Sequence, residues 1–163
     1  MPPTILGLPV HALILHATVV LLPLTAGLLV LSAFVAQVAA RAGLLLPAAG
    51  VLSLVLVPLT TSSGNRLRAR LPVNPEIDAH ANAAGALLPW AVALAVMCVA
   101  VWWVSREHGS DIGHRTLAAR SVTSVVIAVL ATVGAVGAVV EVAYIGHLGA
   151  TATWSYVKDL PQR

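Results

Sequence analysis

Apolar residues run along this chain in four long blocks, parted by short stretches where polar residues, glycine and proline gather. A helix that crosses the hydrocarbon core of a bilayer needs about 20 mostly apolar residues, each rising about 1.5 Å. The pattern predicts four such spans, at roughly 9–39, 44–61, 75–104 and 116–146. Backbone groups in lipid have to be satisfied within the segment, so the blocks read as helices. Local punctuation marks their ends. Asn74-Pro75-Glu76 reads as an N-cap, a proline at the first helical position and an acid in the first turn. Arg41-Ala42-Gly43 reads as a tight turn, Ser63-Gly64 as the close of the second span, and Gly146 or Gly149 as the stop of the fourth. Pro23, Pro47, Pro58 and Pro89 fall inside the spans and are expected kink sites, tolerated where neighbouring helices satisfy the freed carbonyls. The expected fold is all-α: one integral membrane domain over 1–163, a four-helix up-down bundle. The first span does not read as a cleaved signal peptide, because it lacks a basic leading region and its apolar run is too long.

Composition agrees with the pattern. Hydrophobic residues make up 59% of the 163 and charged ones 9%, against about 25% charged in an average soluble domain. The single cysteine, Cys98, excludes a disulfide within the chain and any cysteine-based zinc or iron–sulfur site; it reads as a small buried residue. A net charge of +3 and a pI near 9.8 do not point to nucleic acid, since the basic residues sit in short loops beside apolar segments. The longest polar stretches, 62–78 and 105–115, are too short for a soluble catalytic domain. No nucleophile–base pair, nucleotide-binding loop or paired carboxylates stand out, so no enzymatic motif is present. Four spans also leave little room for alternating access. Orientation stays open: Arg66, Arg68, Arg70, Lys158 and Arg163 on one side balance Arg41, Arg106, Arg115 and Arg120 on the other.

The histidines carry the candidate chemistry. With four spans, His11 and His16 (first turns of span one), His80 (start of span three) and His147 (end of span four) all fall at the face shared by the termini. By depth, His16 at about 10 Å and His80 at about 7–8 Å into their helices nearly match. They are the expected ligand pair across the diagonal of the bundle. His11 and His16 are about 140° apart around one helix, so His11 is expected to meet His147 instead. Around them stand Glu141, an ionisable residue inside a span, Thr60, Thr61 and Ser62 of span two, and Tyr144 as a partner for Glu141. Arg66, Arg68 and Arg70 suit the anionic edge of a haem, or equally a lipid headgroup. The ATVGAVGA run at 131–138 permits close approach of a helix or a flat macrocycle. Trp90, Trp102, Trp103 and Trp154 read as interfacial anchors. His108, Asp111 and His114 read as a solvated loop with some capacity for a surface metal.

Three functions follow from this reading. The first is a haem b carrier passing electrons to a membrane redox partner or complex subunit, with His16 and His80 as axial ligands. The second is a copper or zinc centre built from His11, His80, His147 and Glu141. The third is a cofactor-free structural or assembly subunit whose histidines only form hydrogen bonds.

Four blocks in this order, GLPVHALILHATVVLLPL, VPLTTSSGNRLRARL, AHANAAGALLPWA and IGHLGATATW, resemble the bacterial membrane-protein family catalogued as domain of unknown function 2231. The likeness covers nearly the whole chain. It implies a four-helix protein of the bacterial inner membrane, with histidines at the starts of spans one and three, and no settled activity. The histidine pattern is also similar to that of the membrane b-type cytochromes, which implies haem. Those proteins often place ligands toward both membrane faces, whereas here four gather at one.

Overall fold

The computed structural model describes residues 4–5, 8–107 and 122–154; His108, Asp111 and His114 lie outside them. Among the described residues, six helices carry the fold: α1 (Val10–Phe34), α2 (Ala36–Ala42), α3 (Leu45–Arg68), α4 (Pro75–Ala84), α5 (Leu87–Glu107) and α6 (Val122–Trp154). A two-residue antiparallel pair, Thr4–Ile5 with Leu8–Pro9, precedes α1. Among the described residues, four stretches are long and apolar enough to cross a membrane: α1, α3, α4 with α5 together (Pro75–Arg106), and α6, with mean hydropathies of 2.3, 1.8, 2.2 and 2.5.

Two helix starts share one sequence device. Gly43-Leu44-Leu45-Leu46-Pro47 leads into α3, and Gly85-Ala86-Leu87-Leu88-Pro89 leads into α5. A proline has no N–H to offer the carbonyl four residues back, so no helix bond reaches Gly43 or Gly85 from it. The new helix begins two residues after the glycine, with the proline in its first turn, where no N–H is needed. Gly43 adopts φ 47, which a side chain would oppose. Pro23 and Pro58 instead follow Val19 and Leu54 at that spacing and stay inside unbroken helices. Pro47 therefore opens a helix rather than kinking a span, whereas the break before Pro89 interrupts the third span between α4 and α5. Asn74 caps α4 as expected, its side-chain oxygen accepting from the Glu76 amide at 2.8 Å.

Several expected ends move. The first span breaks at Val35, which is extended (φ −118, ψ 102), and α2 is a separate short helix. Helix α3 runs on through Ser63 and Gly64 to Arg68, and α6 runs through Gly146 and Gly149 to Trp154. In an apolar medium helical hydrogen bonds face no competition from water, so a lone glycine does not end a helix there.

Neighbouring spans run antiparallel, as paired residues show. His11, Thr18 and Thr25 of α1 meet Ser63, Thr60 and Ser53 of α3, one number rising as the other falls. Gly50 of α3 faces Cys98 of α5 while Arg68 meets Asp78 of α4. Gly134 and Gly137 of α6 face Ala93 and Trp90 of α5. Helices α1 and α6 also pack together, closing a ring in which α1 and α5 are diagonal. The core inside is built from Leu22, Leu29, Leu46, Val57, Leu94 and Cys98, with Ala131, Ala135 and Ala138 letting α6 approach closely. Rows such as Val125, Val129, Val133, Val136 and Val140 face outward, to lipid. Trp90 is not an interfacial anchor but a half-buried ring laid over Gly137. Trp102 packs edge-on to Trp103 and carries the Arg106 guanidinium 4.9 Å above its ring, a pairing suited to a membrane edge.

Candidate functional site

The inward stripe of α1 repeats every seven residues: His11, Thr18, Thr25 and Ser32. Two helical turns separate each from the next, so they line up along one face. The lower three are buried. Thr18 meets Thr60 at 2.7 Å and Thr25 meets Ser53 at 3.1 Å, both against α3. His11 heads the stripe, its Nδ1 3.1 Å from Ser63 Oγ. The Ser63 hydroxyl already donates to the Thr60 carbonyl at 2.8 Å, so its one proton is used and His11 Nδ1–H is the donor. In the neutral ring this leaves a lone pair on Nε2.

The second half repeats the arrangement. His80 of α4 donates from Nδ1 to the Ile145 carbonyl of α6 at 3.0 Å. A carbonyl only accepts, so the proton is again on Nδ1 and the lone pair on Nε2. Neither Nε2 has a hydrogen-bond partner among the described residues. Each ring also lies against bare glycine backbone. A Cβ at Gly64 would sit 3.0 Å from His11 Cε1, and one at Gly149 would sit 3.1 Å from His80 Cε1. A histidine from an odd span therefore rests on a glycine from the following even span, once in each half of the chain.

Both imidazoles line one cavity of about 570 Å³ between the spans, within the range of about 300–1,000 Å³ usual for small-molecule and cofactor sites. Apolar side chains such as Leu15, Val57, Leu87 and Val142 form most of the wall, joined by the polar groups of Thr18, Thr60, Thr61, Asn65 and Arg68. Arg68 is tied to Asp78 at 2.7 Å, with both side chains 39% exposed, so the pair stabilises the fold by no more than about 1 kcal/mol.

Of the residues expected from sequence, His11, His80, Thr60, Thr61 and Arg68 line this cavity. His16 does not: its ring is exposed, with Nδ1 held by the Ala12 carbonyl of its own turn. His11, not His16, stands with His80. The reason is azimuth rather than depth, since the two histidines of α1 point about 140° apart. His147 is exposed on α6 and does not meet His11. Arg66 is exposed, Glu141 is half-buried and Tyr144 is 54% exposed; none of them lines the cavity. Among the described residues no group of three or more His, Cys, Asp or Glu gathers closely enough to hold a metal ion. The set expected for copper or zinc is thus not assembled. Sequence reasoning missed the site roles of Ser63, Gly64, Gly149, Thr18 and Asn65. The seven-residue repeat along α1 was the available signal for Thr18 and for choosing His11.

No curated protein and no solved structure matches the chain. Residues 7–159, spanning both histidine–glycine pairs and all four membrane-crossing stretches, match the family described as "Predicted membrane protein (DUF2231)", and the chain belongs to that membrane-protein family.

Proposed function

We propose that this protein is a b-type haem-binding electron-transfer protein of the bacterial cytoplasmic membrane, with His11 and His80 as the axial ligands. The observation that carries the reading is the pair of imidazoles on diagonal spans, each with Nδ1–H committed to a fixed acceptor and Nε2 left with its lone pair. Ligating histidines are ordinarily held in this way, the second nitrogen fixing tautomer and ring orientation. The residues fit the group in three respects. Two nitrogen donors are sufficient for a haem, whereas zinc takes about four protein or solvent ligands. The two glycines let each ring pack directly against helix backbone. The wall is apolar, with Arg68 and Asn65 as polar contacts for the carboxylate edge.

Haem bound by two histidines supplies one-electron transfer rather than oxygen binding, at a potential set by ligands and burial. The protein's own part is to hold both Nε2 atoms, exclude water and offer a cation to the propionates. The test is a reduced-minus-oxidised spectrum of protein purified with ample haem supply. His11→Ala and His80→Ala are each expected to abolish the Soret and α bands, while His16→Ala and His147→Ala keep them. Absence of a haem spectrum in the wild-type protein would overturn the assignment. Stoichiometric copper or zinc without porphyrin would replace it.

A further inference from the structure

The cavity has a side wall that is not closed. Between α1 and α6 its lining includes Val19, 42% exposed, together with Gly146 and Ala150, which are also exposed. A Cβ built at Gly146 meets nothing within 4 Å. Depth fixes what lies outside. Val19 is nine residues into α1, about 13 Å along the helix. Helix α1 has 25 residues, about 37 Å against a hydrocarbon core of about 30 Å. The opening therefore sits roughly 10 Å beneath the boundary and gives onto lipid, not water.

A second observation stands beside it. His16, three residues before Val19, is about 60° further round α1 and one turn nearer the surface. Its ring is exposed, and its Nδ1 proton is spent on the Ala12 carbonyl, by the same donor logic as for His80. An imidazole presented toward acyl chains is costly there unless a polar molecule in the lipid phase meets it. On α6, the exposed Gly146 and Ala150 line the same mouth, and neither carries a long side chain to obstruct a ring.

We propose that this mouth binds the ring of a lipid-soluble quinone in its quinol form. A phenolic O–H would donate to His16 Nε2, the ring would lie on the glycine–alanine face of α6, and the isoprenoid tail would stay in the bilayer. An ordinary acyl chain fits the apolar opening but gives His16 no partner. This proposal rests on the haem reading only for its purpose, since it would bring a redox-active lipid beside the cofactor; the mouth itself does not depend on it.

The experiment uses the full chain in lipid nanodiscs with a reduced decyl-tailed ubiquinone. Binding is read by equilibrium partition above protein-free discs. Saturable binding near one per chain is expected. Gly146→Leu, whose side chain has open space to enter, should weaken it at least about tenfold by filling the mouth, as should Ala150→Leu. His16→Leu should weaken the quinol more than the oxidised quinone, which has no proton to donate. Partition no greater than in empty discs, or saturable binding unchanged in both leucine variants, would overturn the proposal. Mouth-dependent binding in a protein that shows no haem spectrum would keep this inference and remove the proposed cofactor.

Discussion

Adding one methyl group beneath each ligand candidate should separate ligand positioning from fold stability. In Gly64→Ala the new Cβ would stand 3.0 Å from His11 Cε1; in Gly149→Ala it would stand 3.1 Å from His80 Cε1. Carbon atoms rest at about 3.5–4.0 Å, so each ring has to retreat by roughly 0.5 Å. Ser63 adjoins Gly64, and retreat from one is retreat from the other. The His11–Ser63 bond, now 3.1 Å, would lengthen to about 3.6 Å, past the useful limit. Loss of such an orienting partner commonly reduces metal-site affinity about 10–100-fold, which is roughly 1.4–2.7 kcal/mol. Helix propensity acts in the other direction, because alanine in a helix is favoured over glycine by up to about 1 kcal/mol. The expected signature is therefore weaker haem binding with unchanged or raised fold stability. The assay is a Soret titration of the apoprotein in detergent, run beside a denaturation curve. Gly146→Ala, where the added carbon meets nothing, is the control expected to show the helix-propensity gain in stability with unchanged haem affinity. Affinities for both site variants within about twofold of wild type, far short of the outer-shell effect, would refute the geometry.

Gly137→Ala should destabilise the bundle, because its Cβ would lie 2.1 Å from Trp90 Cζ3; overpacking of this kind costs about 1–3 kcal/mol. In a Trp90→Ala background the same change should cost almost nothing, and a double-mutant cycle by denaturant titration in mixed micelles measures the difference. For the buried Thr25–Ser53 pair at 3.1 Å, Thr25→Val alone strands a hydroxyl and should cost about 1–2 kcal/mol. Adding Ser53→Ala should recover part of that loss in the same assay, and a purely additive result would show that the two hydroxyls do not depend on each other.

Helix starts were legible where local chemistry decides them. Asn74-Pro75-Glu76 announces its own cap because every atom involved lies within three residues. Ends at Ser63-Gly64 and Gly146 were misread because glycine ends a helix only where it turns into the left-handed region, as Gly43 does and these do not, and in lipid the unbroken helix keeps its backbone groups satisfied. The break at Val35 has no punctuation of its own; only the assembled bundle reveals it. The four histidines of one face were legible as a group, since counting spans is enough to bring them there. Which two converge was not, because matching depths favoured His16 whereas facing direction selects His11. That direction was written in the seven-residue spacing from His11 to Ser32. The glycine beneath each ring belongs to a different helix, and no local reading of sequence pairs them.

One imidazole comes from each half of the chain, so the gap between the two nitrogens is a dimension of the whole bundle. Gly50 lodged against Cys98 and Gly137 under Trp90 set how closely the helices approach, like shims of least thickness in a clamp. Widening either shim alters the bite on whatever the jaws grip, though neither touches it. The potential of a metal held there would then be tunable from the membrane's middle, by residues that no inspection of the jaws alone would single out.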